Sequence, residues 1–370
     1  MKYLLIDVIA GARPNFMKVA PIIAAIENEK QKGTAIDFRL IHTGQHYDQK
    51  MSGDFFQQLG IPAPHVNLEV GSGTQAEQTA KIMMRYEALL LESPSNLCLV
   101  VGDVTSTMAC AIAAKKLNID VAHIEAGIRS GDRTMPEEIN RMVTDSITDY
   151  FFTTSEVANQ NLKNAGMQDA QIFFVGNTMI DTLLKQMPNF KQPTFWEAEQ
   201  LSEKSYFVLT LHRPSNVDAD TQLKKLLSEI MQHTQGHKVV FPVHPRTAKM
   251  LAQMDTTFEQ LFLTEPMSYL EFNYLVKHAK AVITDSGGIT EETTVMQVPC
   301  VTLRSSTERP ETCTIGTNEL IGTNPDAIKP TMEKLFAGNW KKGGIPPLWD
   351  GHTAERIVFR LIGVFSKRKK

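Results

Sequence analysis

The chain has 370 residues, of which 42 % are hydrophobic and 21 % charged, and its formal net charge is -3. A single hydrophobic core usually stops growing below this length, so two domains are expected. The composition is that of a soluble globular protein, and the small net charge provides no electrostatic attraction for nucleic acid. The longest apolar runs are far shorter than the roughly 20 residues of a membrane span. Neither a nucleic-acid partner nor a membrane partner is therefore expected.

The cysteines indicate the compartment. They are scattered, without a CxxC pair or a secretory apolar segment ahead of them, at Cys98, Cys110, Cys300 and Cys313. This pattern implies neither a disulfide framework nor a zinc cluster, and no HExxH motif requires a metal. A reducing cytoplasm fits best.

Short apolar runs alternate with amphipathic stretches along the whole chain. In the first half they are "KYLLIDVIA", a helix from about Pro14, "FRLIHTG", "AEQTAKIMMRYEALLLE", "LCLVVGD" and "STMACAIAAKKL". In the second half they are "YFVLTLH", "TQLKKLLSEIMQH", "KVVFPVH", "YLEFNYLVKHA", "AVITDSGG" and "CVTLR". Strands followed by helices at this rhythm predict an α/β fold, with two Rossmann-like doubly wound parallel-sheet domains in tandem.

The strand in "AGMQDAQIFFVGNTMIDTL" precedes a helix that starts a new series of elements. We therefore expect an N-terminal domain over 1–170, a C-terminal domain over 171–352, and a boundary near Gln171. A final helix over about 353–370 follows the Gly- and Pro-rich "KKGGIPPLWDG" and could pack on either domain.

Polar residues at the strand ends of the first domain are candidates for a site, since ligands collect there in open α/β sheets. Arg13 and Lys18 flank the first strand-to-helix turn and could neutralise a phosphate, although such residues are commonly surface charges. Asp103 and Glu125 directly follow two apolar strands. Two carboxylates in one site favour acid–base chemistry over the alternatives of a helix cap and a surface charge.

Glu137 has two interpretations. The spacing Thr134-x-x-Glu137 is that of a capping box, and Pro136 with two acids suits the first turn of a helix. From spacing alone the cap is favoured over a catalytic role.

In the second domain, Ser286, Gly287 and Gly288 end a strand and begin a helix. Free N–H groups there suit a diphosphate, and a tight turn capped by Ser286 is the alternative. Glu292, about a turn further on, could bind a ribose. His212 and His244 follow two other strands and could contact phosphate or transfer a proton.

The motifs in order resemble those of the non-hydrolysing UDP-N-acetylglucosamine 2-epimerases. They are "GARPNFMKVAPI", "TGQHYD", "GDVTSTMACAIAAKKL", "HIEAGIRSGDRTMPEEINR", "TLHRPSN", "PVHP", "TDSGGITEE" and "STERPETCTIGTNELIG". The resemblance implies a GT-B fold, with the active site between two Rossmann-like domains and a C-terminal helix returning to the first. It also implies a homodimer without metal or nicotinamide cofactor.

The resemblance further implies interconversion of UDP-N-acetylglucosamine and UDP-N-acetylmannosamine by elimination of UDP and re-addition, which supplies precursors of cell-envelope polysaccharide. The implied catalytic residues are Asp103, Glu125, Glu137 and His212. The implied substrate-binding residues are Arg13, Lys18, Phe272 beside uracil, Ser286, Gly287, Gly288, Glu292 on the ribose and Arg309 near the diphosphate. Glu138 and Arg141 are expected to support the catalytic groups.

Four other functions stay open. They are 2-epimerisation of a UDP-2,3-diacetamido-uronic acid, a hydrolysing epimerase that releases N-acetylmannosamine and UDP, a GT-B glycosyltransferase, and a nucleotide-sugar sensor. Two departures from the family pattern bear on the site: Met267 replaces a usual Gln, and the loop before Pro136 is two residues shorter than in many members.

Overall fold

The computed structural model describes residues 3–44, 59–213, 216, 220–243, 248, 250–251 and 258–367, except for the side chains of Arg13 and Asp220. The chain divides into two compact units. The first comprises Met1–Thr182 and Pro347–Lys370, and the second comprises Leu183–Pro346. Among the described residues, no helix combines the length and hydropathy that a membrane crossing requires.

The first unit is built on a seven-stranded parallel sheet in the order β3-β2-β1-β4-β5-β6-β7. Its strands are β1 (Leu4–Ala10), β2 (Ile36–His42), β3 (Val66–Asn67), β4 (Leu97–Val101), β5 (Asp120–Ile124), β6 (Tyr150–Thr153) and β7 (Ile172–Phe174). The described helices are α1 (Arg13–Gln31), α2 (Gln75–Glu92), α3 (Thr105–Lys116), α4 (Pro136–Ile147), α5 (Glu156–Asn164), α6 (Thr178–Gln186) and, at the end of the chain, α12 (Thr353–Lys367). The strands are continuous apolar runs because helices cover both faces of a parallel sheet.

The predicted domain boundary lies near Gln171, whereas the structure divides the units after Thr182. The strand that follows Gln171 is β7, and it pairs with β6 in the first sheet, Phe152 opposite Phe173. The apolar run therefore completes the first sheet, and the change of unit falls within α6.

The final helix belongs to the first unit, where it contacts α1. Its first turn is held by Asp181 of α6, which accepts from the backbone N–H groups of Thr353 at 3.1 Å and Ala354 at 2.7 Å. The indole of the buried Trp349 donates to the carbonyl of Thr154 at 3.2 Å. These bonds attach the C-terminal segment to the first sheet.

The second unit has a six-stranded parallel sheet in the order β10-β9-β8-β11-β12-β13. Its strands are β8 (Tyr206–Thr210), β9 (Lys238–Pro242), β10 (Leu261–Thr264), β11 (Ala281–Thr284), β12 (Cys300–Thr302) and β13 (Asn318–Leu320). The described helices are α7 (Asp220–His233), α8 (Tyr269–His278), α9 (Gly287–Met296), α10 (Pro310–Thr314) and α11 (Ile328–Phe336). Two apolar clusters, one on each face of the sheet, form the core.

Both sheets reverse their strand order once, between β1 and β4 in the first unit and between β8 and β11 in the second. At such a switch point the loops after the two strands run in opposite directions and leave a crevice at their carboxyl ends. Functional side chains are therefore expected after Ala10 and Val101 in the first unit, and after Thr210 and Thr284 in the second.

Candidate active site

The turn after β1 is shaped by Asn15, a buried residue of α1. Its Oδ1 accepts from the backbone N–H groups of Gly11 at 3.1 Å and Ala12 at 3.0 Å, while its Nδ2 donates to the carbonyl of Val101 at 3.2 Å. The Asn15 side chain thus accepts from the backbone that leads into α1 and connects this turn to the end of β4 across the switch point. This places the first turn of α1 beside the end of β4.

Glu125 lies in the same crevice, directly after β5. It is 4 % exposed, and its Oε2 accepts from Lys18 Nζ at 2.6 Å. A methyl group built on Gly102 would lie 3.3 Å from Lys18 Nζ and 3.7 Å from Glu125 Oε2, so the backbone after β4 runs beside the pair. Glu125 has a φ of +67°, which costs a non-glycine residue about 1–3 kcal/mol and is a feature of functional sites.

The Lys18–Glu125 pair modifies two sequence-based interpretations. Glu125 is buried rather than a surface charge. Lys18, expected to neutralise a phosphate, also has its ammonium on this carboxylate, because the crevice brings α1 and β5 together. The ammonium holds the Glu125 carboxylate at 2.6 Å in the crevice.

Asp103 follows β4 and faces α4. Its Oδ2 accepts from Arg141 Nη2 at 2.5 Å, and its carbonyl accepts from Asn140 Nδ2 at 2.8 Å. The Asp103 side chain is 30 % exposed, whereas that of Arg141 is 8 % exposed. Two neighbouring residues of α4 therefore hold the loop that carries Asp103, while its carboxylate remains accessible.

Glu138 supports this arrangement from the other side of Arg141. Its Oε2 accepts from Arg141 Nη1 at 2.8 Å, and its carboxylate also accepts from Ser130 N, Ser130 Oγ and Gly131 N. Burial alone would raise the pKa of Glu138, but these hydrogen bonds outweigh burial and hold the pKa below its usual value. Glu138 is thus an ionised anchor for Arg141 and for the loop before α4.

The capping-box interpretation of Glu137 is wrong. The N-cap of α4 is Met135, which makes no side-chain cap bond. Thr134 instead donates from Oγ1 to Asp132 Oδ1 at 2.6 Å, because the preceding turn bends back on itself. Glu137 is solvent-exposed in the first turn, where the helix dipole favours a carboxylate.

Sequence analysis missed a buried network beneath these carboxylates. His123 of β5 contacts Asp145 Oδ1 at 2.7 Å through Nδ1 and the Gly102 carbonyl at 2.8 Å through Nε2. Asp145 Oδ2 also accepts from Gly127 N at 3.1 Å and pairs with Arg129 Nη1 at 2.7 Å. Burial raises the pKa of Asp145, but His123 and Arg129 hold it below its usual value. The sequence feature that could have indicated this network is a histidine within an apolar strand, as in "VAHIE".

In the second unit, His212 follows β8 and lies across the switch point from Asp285, which follows β11. His212 Nδ1 is 2.7 Å from Asp285 Oδ1, and the imidazole is 62 % exposed. Asp285 is fully buried and was not among the predicted site residues. His244, the other predicted histidine, lies outside the described residues.

The start of α9 carries the residues predicted for an anion site. Ser286 occupies the N-cap position but makes no side-chain cap bond, so the alternative in which Ser286 caps the turn is wrong. A methyl group built on Gly288 would meet nothing within 4 Å, and one on Gly287 would lie 3.5 Å from Arg304 Nη1. The helix start is therefore open at the backbone, with a guanidinium beside it that sequence analysis missed.

Three other predicted contacts remain, two in this unit and one in the first. Phe272 is half-buried and packs on one of the apolar clusters together with Met267. Arg309, expected near a diphosphate, is buried and paired with Glu291 through Nε. Arg13 begins α1 in the first unit, and its side chain lies outside the described residues.

Glu292 is buried in α9 between its own helix and α8. Burial, together with the neighbouring Glu291, raises the pKa of Glu292 to about 7 against the lowering effect of hydrogen bonds from Tyr269 and Asn273. The carboxyl group therefore exchanges its proton close to neutral pH.

Replacement of Glu292 by Gln is expected to change the pH dependence of stability. The folded state holds the Glu292 proton between pH 4.5, the ordinary pKa of a glutamate, and about pH 7, so the wild-type free energy of unfolding falls as pH rises through this window. The free energy of unfolding of E292Q, taken relative to that of the wild type, should therefore increase by roughly 2–3 kcal/mol between pH 5 and pH 8. Urea unfolding of both proteins at several pH values measures this gain. A constant difference across the range would contradict the raised pKa.

Comparisons with known proteins agree with this arrangement. Residues 28–362 match the family model described as UDP-N-acetylglucosamine 2-epimerase. The chain belongs to the UDP-N-acetylglucosamine 2-epimerase family. It is an epimerase, and its two Rossmann-like α/β domains are of the GT-B class.

Two relatives illustrate the range of this epimerase family. A UDP-N-acetylglucosamine 2-epimerase of Methanocaldococcus jannaschii is 40 % identical over 366 residues, covering 95 % of this chain and 97 % of the relative. A UDP-2,3-diacetamido-2,3-dideoxy-D-glucuronate 2-epimerase of Pseudomonas aeruginosa is 39 % identical over 323 residues, covering 86 % and 89 %. The crystal structure of the Methanocaldococcus jannaschii enzyme with UDP-GlcNAc and UDP aligns with a TM-score of 0.85 over 97 % of this epimerase and 99 % of that chain.

Proposed function

We propose that this epimerase interconverts UDP-N-acetylglucosamine and UDP-N-acetylmannosamine without hydrolysis. The observation that carries the proposal is the set of strand-end carboxylates in the first unit, each with its own cation. Glu125 is paired with Lys18, and Asp103 is paired with Arg141. Each pair fixes a carboxylate oxygen in the crevice, where it could accept a proton from a substrate.

The chemistry explains why several carboxylates are needed. The C2 hydrogen of the sugar is not adjacent to a carbonyl, so its direct removal is prohibitively slow. In an elimination, a base takes the C2 proton, the C1=C2 bond forms, and the C1–O bond to UDP breaks with its electron pair leaving on the diphosphate. An acid then returns a proton to the opposite face of C2 as UDP adds back to C1. Two opposite faces require two positioned groups.

The remaining proposed roles concern UDP. Departure of the diphosphate requires donors and cations where charge develops. We assign this role to the start of α9, comprising Ser286, Gly287 and Gly288, with His212 and the basic residues Arg13, Lys18 and Arg309. Glu292 is assigned to the ribose hydroxyls and Phe272 to uracil. Asp103, Glu125 and Glu137 are the proposed acid and base groups.

The proposal extends to the setting of the reaction. The elimination and re-addition leave the oxidation state of the sugar unchanged, so no hydride carrier is needed. We propose a cytoplasmic homodimer that supplies N-acetylmannosamine units for envelope polysaccharide. The free cysteine thiols support a reducing compartment.

Incubation with UDP-N-acetylglucosamine in deuterium oxide, followed by NMR, tests the reaction. Intact UDP-N-acetylmannosamine carrying deuterium at C2 is the expected product. Accumulation of free N-acetylmannosamine and UDP would instead identify a hydrolysing enzyme, and an absence of exchange would reject this substrate. Glu137→Gln should slow the exchange, and an unchanged rate would remove Glu137 from the proposed catalytic groups.

A UDP-2,3-diacetamido-uronic acid is the second candidate substrate, favoured by the similarity to the Pseudomonas aeruginosa enzyme. Its C6 carboxylate needs a cation, and Arg133 is exposed in the loop that precedes Glu137. Arg133 and Arg129 line a cavity of about 400 Å³. Comparison of kcat/KM for the two nucleotide sugars decides between them. If the uronic acid is the substrate, Arg133→Gln should lower its kcat/KM selectively.

A further inference from the structure

Asp285 is a fully buried titratable group at the switch point of the second unit. It follows β11 directly, is 0 % exposed, and lies beside the loop that follows β8. Its Oδ1 is 2.7 Å from Nδ1 of the largely exposed His212 imidazole. A buried carboxylate that contacts one nitrogen of an exposed histidine determines how that ring is presented to a ligand.

The other contacts of Asp285 come from the same loop. Its Oδ2 accepts from His212 N at 3.0 Å, Arg213 N at 2.9 Å and Asn216 Nδ2 at 3.1 Å, and its Oδ1 accepts a longer bond from His212 N at 3.2 Å. Its backbone carbonyl accepts from Arg213 Nε at 3.1 Å. Burial would raise the pKa of Asp285, but the bonds from His212, Arg213 and Asn216 hold it below its usual value. The side chain is therefore ionised at neutral pH.

We propose that Asp285 is a positioning residue that keeps Nδ1 of His212 protonated and presents Nε2 to the nucleotide sugar. An ionised carboxylate can only accept, so the hydrogen of the 2.7 Å contact belongs to the imidazole. In the neutral ring, Nε2 is then the nitrogen with the free lone pair. This inference rests on the proposed function, because His212 acts there at the departing diphosphate.

The alternative role of Asp285 is to hold the backbone of His212 and Arg213 and the side chain of Asn216, without influence on the imidazole. The substitution Asp285→Asn separates the two roles because an amide has one acceptor and one donor end. Three donors converge on Oδ2, namely His212 N, Arg213 N and Asn216 Nδ2, so the amide oxygen is expected to take that position. The amide NH₂ then faces His212 Nδ1, which must become an acceptor. The loop is retained while the tautomer reverses.

Asn216→Ala is the matched control. Asn216 is buried and donates from Nδ2 to both Asp285 Oδ2 and the carbonyl of Leu303, each at 3.1 Å. Its removal weakens the same loop but leaves the contact between Asp285 and His212 Nδ1 in place. A purely structural role for Asp285 predicts that the two variants have similar effects.

The experiment combines the tautomer with kinetics. Long-range ¹H–¹⁵N NMR of the unliganded protein, assigned by comparison with His212→Gln, should show protonated Nδ1 in the wild type and in Asn216→Ala, and protonated Nε2 in Asp285→Asn. With UDP-N-acetylglucosamine, kcat of Asp285→Asn should fall about a hundredfold or more. Its KM should stay within about threefold, and Asn216→Ala should lose less than about tenfold in kcat. Equal losses in the two variants, or a reversed tautomer with unchanged kcat, would overturn the proposal.

A double-mutant cycle with His212→Gln gives a second test that does not depend on the tautomer measurement. If Asp285 acts through His212, Asp285→Asn should lower kcat by less than about threefold in the His212→Gln background. A further tenfold loss in that background would assign Asp285 a separate role. Absence of any C2 exchange in the wild type would reject the proposed function, whereas the tautomer measurement would still decide whether Asp285 controls His212.

Discussion

Glu125→Gln is expected to lower kcat for C2 deuterium exchange by about 10²–10⁴, the usual contribution of a positioned acid or base. Gln preserves the size of the side chain and can still accept from Lys18, but it cannot take a proton. The carboxylate it replaces is buried and held at 2.6 Å from the Lys18 ammonium. UDP affinity should change by less than about threefold, since the nucleotide contacts are assigned to other residues.

The matched control for Glu125 is Glu87→Gln, which makes the same chemical change at an exposed position on α2. Exchange in this variant should equal that of the wild type. Rates come from NMR under saturating substrate, and UDP affinity from calorimetry. If Glu125→Gln retained more than about a tenth of the wild-type rate with its fold intact, Glu125 would be a binding or structural residue instead.

Arg141→Met is expected to destabilise the protein by about 3 kcal/mol at neutral pH, because it leaves a buried carboxylate without its cation. Arg141 bridges Asp103 and Glu138, and the Glu138 side chain is only 3 % exposed. The same change should lower kcat at least tenfold, since Asp103 loses the group that orients it. Urea unfolding and C2 exchange measure the two effects.

The pH dependence of unfolding shows whether the loss of stability in Arg141→Met comes from charge pairing or from packing. In the wild type the pKa of Glu138 is held low, so its stabilising contribution is present above the unfolded pKa and is lost as pH falls through the folded pKa. Arg141→Met removes one of the causes and raises that pKa. The difference in stability between the two proteins should therefore shrink in acid, below the usual carboxyl range. A deficit that stayed constant would indicate lost packing rather than lost charge pairing.

Lys115→Met is the control for Arg141. It removes a pair with Asp149 at 2.8 Å in the same unit, but both side chains are about one-third exposed. Such pairs contribute roughly 0–1 kcal/mol. Lys115→Met should accordingly lower the free energy of unfolding much less than Arg141→Met and leave the rate of C2 exchange unchanged.

Alternation of strands and helices predicted the two parallel sheets because apolar runs such as "LCLVV" need helices on both faces. Capping was less predictable. Thr74 and Glu77 form a reciprocal capping box at α2, whereas the identical spacing of Thr134 and Glu137 does not at α4. The difference arises because Met135, one residue later, is the N-cap of α4, and because Asp132 Oδ1 already accepts from the Thr134 N–H at 2.9 Å. Short-range spacing cannot predict such a competition.

The sequence by itself determined which side chains stand at strand ends, since a strand and its following loop are contiguous in the chain. It therefore led to Asp103, Glu125 and His212. Only the tertiary structure decided their partners. Lys18 reaches Glu125 across 107 positions, and Asp285 reaches His212 across 73. Strand order at the switch points brings these residues together, and strand order depends on the packing of whole helices and sheets rather than on any local pattern.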